Sequence, residues 1–152
     1  MSEQTQEASF ALQRIYVKDL SFESPRSPEG FLKQGKPIVT LELSVSNVSI
    51  DEDNFEVTLG LIATAKNEAE EIIYLIELKQ SGVFMLKGMT EEGLAQTLGS
   101  FCPNVLFPYA RETIDSIVNK GSFPPLMLSP INFENIYAQA KAQNEAEITS
   151  VQ

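Results

Sequence analysis

Apolar residues alternate with polar or small ones along the first half of the chain, and a helical spacing takes over after Thr90. Val39, Leu41, Leu43 and Val45 interleave with Thr40, Glu42, Ser44 and Ser46, the period of a strand with one covered face. Phe55, Val57, Leu59, Leu61 and Ala63 repeat the pattern after a turn at Asp51–Asn54. A second turn, Lys66–Glu71, leads into a strand from Ile72 to Leu86. Both connections suit antiparallel hairpins. An earlier strand is predicted over Phe10–Phe22. It is followed by a long loop, Ser24–Pro37, with three prolines and two glycines, of a length that is often functional.

Beyond Thr90, Leu94, Leu98 and Phe101 form a helical stripe. Thr90 is placed to cap this helix, with Glu91 and Glu92 against its dipole. Pro103 is expected to end it by excluding a helical Cys102. Pro108 is expected in the first turn of a second helix, with Ala110, Ile114, Ile117 and Val118 facing the core and Gly121 just past its end. Phe123–Ser129 is a proline-bounded extended segment. A third helix begins near Asn132 with Phe133, Ile136, Tyr137 and Ala140 on one side, and lacks large apolar residues beyond Tyr137 until Ile148, so fraying is expected. Four strands followed by helices indicate an α+β fold with a four-stranded antiparallel, meander-like sheet. The domain is expected over 9–141, between an N-terminal tail at 1–8 and a flexible C-terminal tail at 142–152.

The first and fourth strands carry apolar residues at both parities. Ile72, Tyr74, Ile76 and Leu78 oppose Ile73 and Leu75; Leu12, Tyr16, Leu20 and Phe22 oppose Ile15 and Val17. One face can be covered by the chain's own helices, and a symmetric copy is the simplest cover for the other. A bulge that swaps faces is the alternative. Ile76 and Leu78 are accordingly candidates for the oligomer interface or for folding.

The 152 residues make one ordinary domain, with 21 acidic against 11 basic side chains. That balance disfavours nucleic acid and anionic membrane surfaces and favours basic partners or plain solubility. Histidine is absent and Cys102 is the single cysteine. Serine and cysteine nucleophiles paired with histidine are thereby excluded, no metal site is expected, and no disulfide can form within the chain. No phosphate-binding glycine loop occurs, so no cofactor is expected. The polar start and the lack of a long apolar run fit a cytoplasmic location.

Three segments carry a resemblance: Gln13-Arg-Ile-Tyr-Val-Lys-Asp-Leu-Ser-Phe-Glu-Ser-Pro25, Cys102-Pro-Asn-Val-Leu-Phe-Pro-Tyr-Ala-Arg-Glu112 and Leu126-Met-Leu-Ser-Pro-Ile-Asn-Phe133. The chain resembles the SecB family of preprotein-export chaperones over Phe10–Tyr137. The resemblance implies a homotetramer, a dimer of dimers, that binds unfolded precursor proteins without ATP, keeps them competent for translocation and passes them to the SecA motor. It implies a SecA-binding surface at Asp19, Glu23, Leu75 and Glu77. It also implies an aromatic substrate groove, with Tyr16, Phe31, Leu32, Phe107, Tyr109, Phe133 and Tyr137 as candidates. Gly35 stands where the family has a tryptophan. Met85, Met89 and Met127 are adaptable apolar residues, for the core first and the groove second.

A SecB-like chaperone devoted to one client, such as an antitoxin, is the alternative function. The four docking residues favour export. An enzyme working through carboxylates alone would need paired acids in a pocket, whereas the acids here sit mainly in turns and tails.

Overall fold

The computed structural model describes residues 7–33 and 35–150. The elements are β1 (Ser9–Glu23), β2 (Ile38–Ser49), β3 (Asn54–Lys66), β4 (Ile72–Lys87), α1 (Glu91–Gln96), α2 (Cys102–Lys120) and α3 (Phe133–Ser150). A short 3-10 turn, Glu29–Leu32, interrupts the long loop, and a π turn, Thr97–Phe101, joins α1 to α2. Positions 1–6 and 151–152 of the two expected tails lie outside the described residues.

The strands form one antiparallel sheet in the order β1-β4-β3-β2. The three later strands are the expected meander. The long loop carries the chain from one edge of the sheet to the other, so β1 lies beside β4 in a Greek-key order. Each hairpin turn is closed by an acceptor side chain. Asp51 Oδ1 accepts from the Asp53 and Asn54 amides at 3.0 and 2.9 Å, and Asn67 Oδ1 from Ala69 and Glu71 at 3.0 and 2.9 Å.

The alternation in β3 translates directly into burial: Phe55, Val57, Leu59, Leu61, Ala63 and Ala65 all point into the core. Tyr74, Ile76, Leu78, Phe84 and Leu86 of β4 join them. α2 lies over this face with Leu106, Phe107, Ala110, Ile114 and Val118. It comes so close that a Cβ on Gly82 would stand 3.0 Å from Leu106 Cδ2. Ile76 and Leu78 are therefore buried inside the protomer.

The two-faced character expected of β1 is not present, because two bulges correct its parity. Pairing with β4 shifts between Leu12 and Arg14 and again between Val17 and Asp19. Each extra residue, Gln13 and Lys18, moves the following side chains to the other face. Phe10, Leu12, Ile15, Val17, Leu20 and Phe22 consequently share the helix side with Leu86, Phe84, Gly82, Gln80, Leu78 and Ile76, their direct partners. Tyr16 is left on the opposite side, across from Ser81.

The helices also depart from expectation. Pro103 does not end a helix: Cys102 is helical, at φ −63° and ψ −48°. The π turn makes this workable. The Cys102 amide reaches back to the Thr97 carbonyl, and the wider turn relieves the clash between the Pro103 ring and the preceding backbone. Pro108 lies inside α2 rather than in its first turn. The carbonyl that Pro108 deprives of a donor belongs to Asn104, and both residues are on the exposed side of the helix, where water can bond it. α3 continues to Ser150. Its sequence from Ala138 onward is mostly alanine, glutamine, lysine and glutamate, all good helix formers, and Lys141 pairs with Glu92 of α1 at 3.5 Å.

Candidate functional site

The long loop is fastened to the β3–β4 turn by an ion pair between Arg26 and Glu71. Behind this clasp is a cleft of about 530 Å³, walled by Pro25, Lys33, Gly35, Lys36, Glu68 and Ile73. Gly35 has open space where a side chain would project. Four aromatic rings form a wall of successive contacts that ends on the long loop. Phe22 stacks on Tyr74 at 6.1 Å, Tyr74 meets Phe123 at 5.0 Å, and Phe123 meets Phe31 at 5.4 Å. Phe31 is half-exposed, and Leu32 and Met127 are among the most exposed apolar side chains of the protein.

A second cleft, of about 680 Å³, lies at the far end of α2. Gln96, Thr97, Ser100 and Asn104 supply its polar side; Pro130, Ile131 and Phe133 supply its apolar side. Tyr137 rests directly on Gly99 of the π turn, where any Cβ would lie 2.5 Å from the ring.

The residues expected to form one aromatic groove are thus divided. Phe31 and Leu32 lie on the long loop between Gly30 and Lys33, which line the first cleft, but do not line it themselves. Phe107 and Phe133 pack on each other at 6.0 Å and are buried, and Phe133 also borders the second cleft. Tyr137 holds α3 to the π turn. Tyr109 is half-exposed on α2. Tyr16 is on the other side of the sheet and is removed from the groove by the bulge at Gln13. Sequence reasoning did not bring Phe22 and Phe123 together with Phe31 around the buried Tyr74; the only signal was the Phe123-Pro-Pro run.

The helix-free face of the sheet brings Asp19, Glu23, Leu75 and Glu77 together. Glu23 is the direct partner of Leu75, Ser21 of Glu77, and Asp19 of Lys79. Among the described residues none of these three acids is in an ion pair. Farther along the same face, Tyr16 donates to Glu56 Oε2, and Lys18 donates to Glu56 Oε1 at 2.7 Å. Lys18 chiefly, then Tyr16, holds the Glu56 carboxyl below the usual range. Partial burial, then the bond to Glu56, pushes the Tyr16 phenol up to about 12. Burial likewise pushes the Cys102 thiol up to about 12, which makes it an inert core residue. No group of three or more His, Cys, Asp or Glu side chains among the described residues is arranged to hold a metal ion.

On the helix side, the β1 flank is left open. Phe10, Leu12, Val17 and Leu20 are 37–45% exposed, and Phe101 and Tyr109 add half-exposed rings from the helical layer. Phe101 packs edge-on against Phe10 at 4.9 Å. Gln80, buried beneath this strip, accepts from the Thr113 hydroxyl at 3.1 Å and donates to the Tyr16 carbonyl at 3.3 Å.

The family model for preprotein translocase subunit SecB matches residues 3–144. The chain belongs to the SecB family. The protein-export protein SecB of Marinobacter nauticus is 54% identical over 146 residues, covering 96% of this chain and 88% of its own length. Those of Hahella chejuensis and Pseudomonas fluorescens Pf0-1 are 54% and 48% identical over 138 and 153 residues. They cover 91% and 99% of this chain and 86% and 94% of their own lengths. Among solved structures, the SecB-like chaperone of Mycobacterium tuberculosis, in complex with an antitoxin peptide, superposes with a TM-score of 0.68 at 20% identity. It covers 80% of this chain and 90% of its own. That likeness bears on the fold, which is the SecB-like α+β sheet and helices. The protein is a preprotein-export chaperone of the SecB type, and its activity is non-enzymatic. Among the described residues no helix is long and apolar enough to cross a membrane.

Proposed function

We propose that this SecB protein works as a cytoplasmic homotetramer that holds unfolded precursors without ATP and hands them to SecA. The observation that carries the assembly is the apolar flank of β1 and the helical layer: six large side chains remain open on a protomer whose core is otherwise complete. Contiguous apolar surface of this kind on a SecB fold is best covered by a second copy. The holding activity rests on the exposed Phe31, Leu32 and Met127 beside the aromatic wall of Phe22, Tyr74 and Phe123. Aromatic and unbranched apolar side chains give large contact area with little sequence demand, which suits many clients. Contacts repeated over four subunits raise avidity for one long chain. The net charge of −10 favours encounter with basic stretches of the client.

For transfer, we assign Asp19, Glu23, Leu75 and Glu77 on the helix-free face to SecA docking. Their position leaves the cleft side free for the client, so client and motor can be engaged together. The test is the mass of the protein in solution, alone and with a reduced, alkylated client. A tetramer that takes up the unfolded client and leaves its native form alone is the expected result. A monomer, or a tetramer blind to the unfolded chain, refutes the reading.

A further inference from the structure

The connection from α2 to α3 contains Pro124, Pro125 and Pro130, three positions with no backbone N–H. Its start is tied to the helix end: the Phe123 amide donates to the Val118 carbonyl at 3.1 Å. Between there and Ile131, no backbone amide bonds to another backbone group among the described residues. Two amides have a side-chain partner instead. Leu126 and Met127 both donate to Asp115 Oδ1, at 3.0 and 3.3 Å. One carboxylate on α2 is thus the polar tether of the whole segment.

What it tethers is unusual. Met127 has φ 50°, the left-handed conformation that side-chain-bearing residues seldom adopt, and its side chain is 76% exposed. An unconstrained loop would relax away from such a backbone. Asp115 is also close enough to Tyr74 for its charge to add to burial in raising the Tyr74 phenol. Tyr74 in turn carries Phe123, and Phe123 carries Phe31.

We propose that Asp115 is a positioning residue of the client-binding surface: its carboxylate fixes the Phe123–Ile131 segment so that Met127 projects beside the Phe31–Phe123–Tyr74 wall. The proposal rests on the chaperone reading above. Without the tether the segment samples other conformations, and the affinity for client falls in proportion to the fraction of time that the surface is assembled. A fall in that fraction to between about one third and one tenth weakens binding roughly threefold to tenfold.

The experiment compares the full chain with Asp115→Ala and Asp115→Asn, the latter keeping an amide oxygen that can accept both hydrogen bonds. Reduced, carboxymethylated α-lactalbumin is the probe. Its tryptophans report binding against no background, since this chain has no tryptophan. Hydrogen exchange of the 121–132 segment, melting temperature and solution mass are measured in parallel. The expected result is weaker binding and faster exchange in that segment for Asp115→Ala, restored by Asp115→Asn, with unchanged mass. Binding by Asp115→Ala as tight as that of the parent overturns the proposal. So does an Asp115→Asn protein as weak as Asp115→Ala, since charge rather than the tether would then be responsible. A parent protein that does not bind the probe overturns the chaperone reading itself, and is recognised by the loss occurring before any substitution.

Discussion

Replacing Val17 by glutamate tests the proposed assembly at the point where the protomer leaves most of β1 open. Val17 is 45% exposed, so the mutation has little to break inside the protomer. Burying a valine or leucine side chain completely contributes about 1.5–3 kcal/mol. With 45% of Val17 still open, each copy has roughly 0.7–1.4 kcal/mol left to gain at an interface. Across a two-fold contact both copies lose it, which is about 1.4–2.8 kcal/mol, or a tenfold to hundredfold weaker association. A carboxylate desolvated at the same place adds to the loss. Light scattering across a dilution series should therefore show Val17→Glu dissociating at concentrations at least about tenfold above the parent, with circular dichroism unchanged. Identical mass curves for the two proteins would refute the idea that the β1 flank is covered by another copy.

Ile76→Asp should behave differently, because Ile76 is completely buried opposite Ala63 and Phe22; an unpaired charge there is expected to cost several kcal/mol and abolish the cooperative melt. A normal melting curve would contradict the assigned core. Glu77→Lys reverses a charge on the helix-free face and should weaken SecA binding while leaving the mass unchanged; calorimetry giving the parent affinity for SecA would remove Glu77 from the docking surface. Glu56, held low by Lys18 and Tyr16, contributes stability that is present above the unfolded carboxylate value of about 4.3 and is lost as pH falls through its lower folded value. The urea midpoints of the parent and Glu56→Gln should therefore differ at neutral pH and converge in acid; a difference that grows on acidification would reverse the assignment.

The strands and their hairpins were legible because period two and acceptor-rich turns are local properties. Their faces were not uniformly so. In β1 the apolar pairs Phe10 and Leu12, Ile15 and Val17, Leu20 and Phe22 follow one another at five-residue intervals, which is the signature of two bulges. Read with strict alternation, the same residues scatter over both faces, and Tyr16 is drawn into a groove that it cannot reach. Pro103 and Pro108 misled for a related reason. The sequence reports the missing donor but not the wide turn or the exposed helix side that accommodates it. The acids proposed for docking share one face, as their parity indicates, because they lie in β1 after its second bulge and in the regular start of β4. The aromatic wall was not, since Phe22, Tyr74 and Phe123 meet only through the crossing of the long loop and the return of α2.

The π turn also sets a rule about chain length. Leu98, Cys102, Leu106, Ala110, Ile114 and Val118 recur every four residues and are all buried. A regular helix advances about 100° per residue, so a stripe of that spacing winds slowly around its axis. The wide turn takes up part of this winding just where α1 hands over to α2. Removing any one residue from 97–101 would allow an unbroken α-helix with every remaining side chain still present. It would leave α1 and α2 in nearly the same relative rotation, since a bond across four residues would replace the bond across five from the Cys102 amide to the Thr97 carbonyl, but it would set the Pro103 ring against a regular helical turn. In this segment the number of residues is under tighter constraint than most of their identities, and a deletion should be harder to tolerate than a substitution.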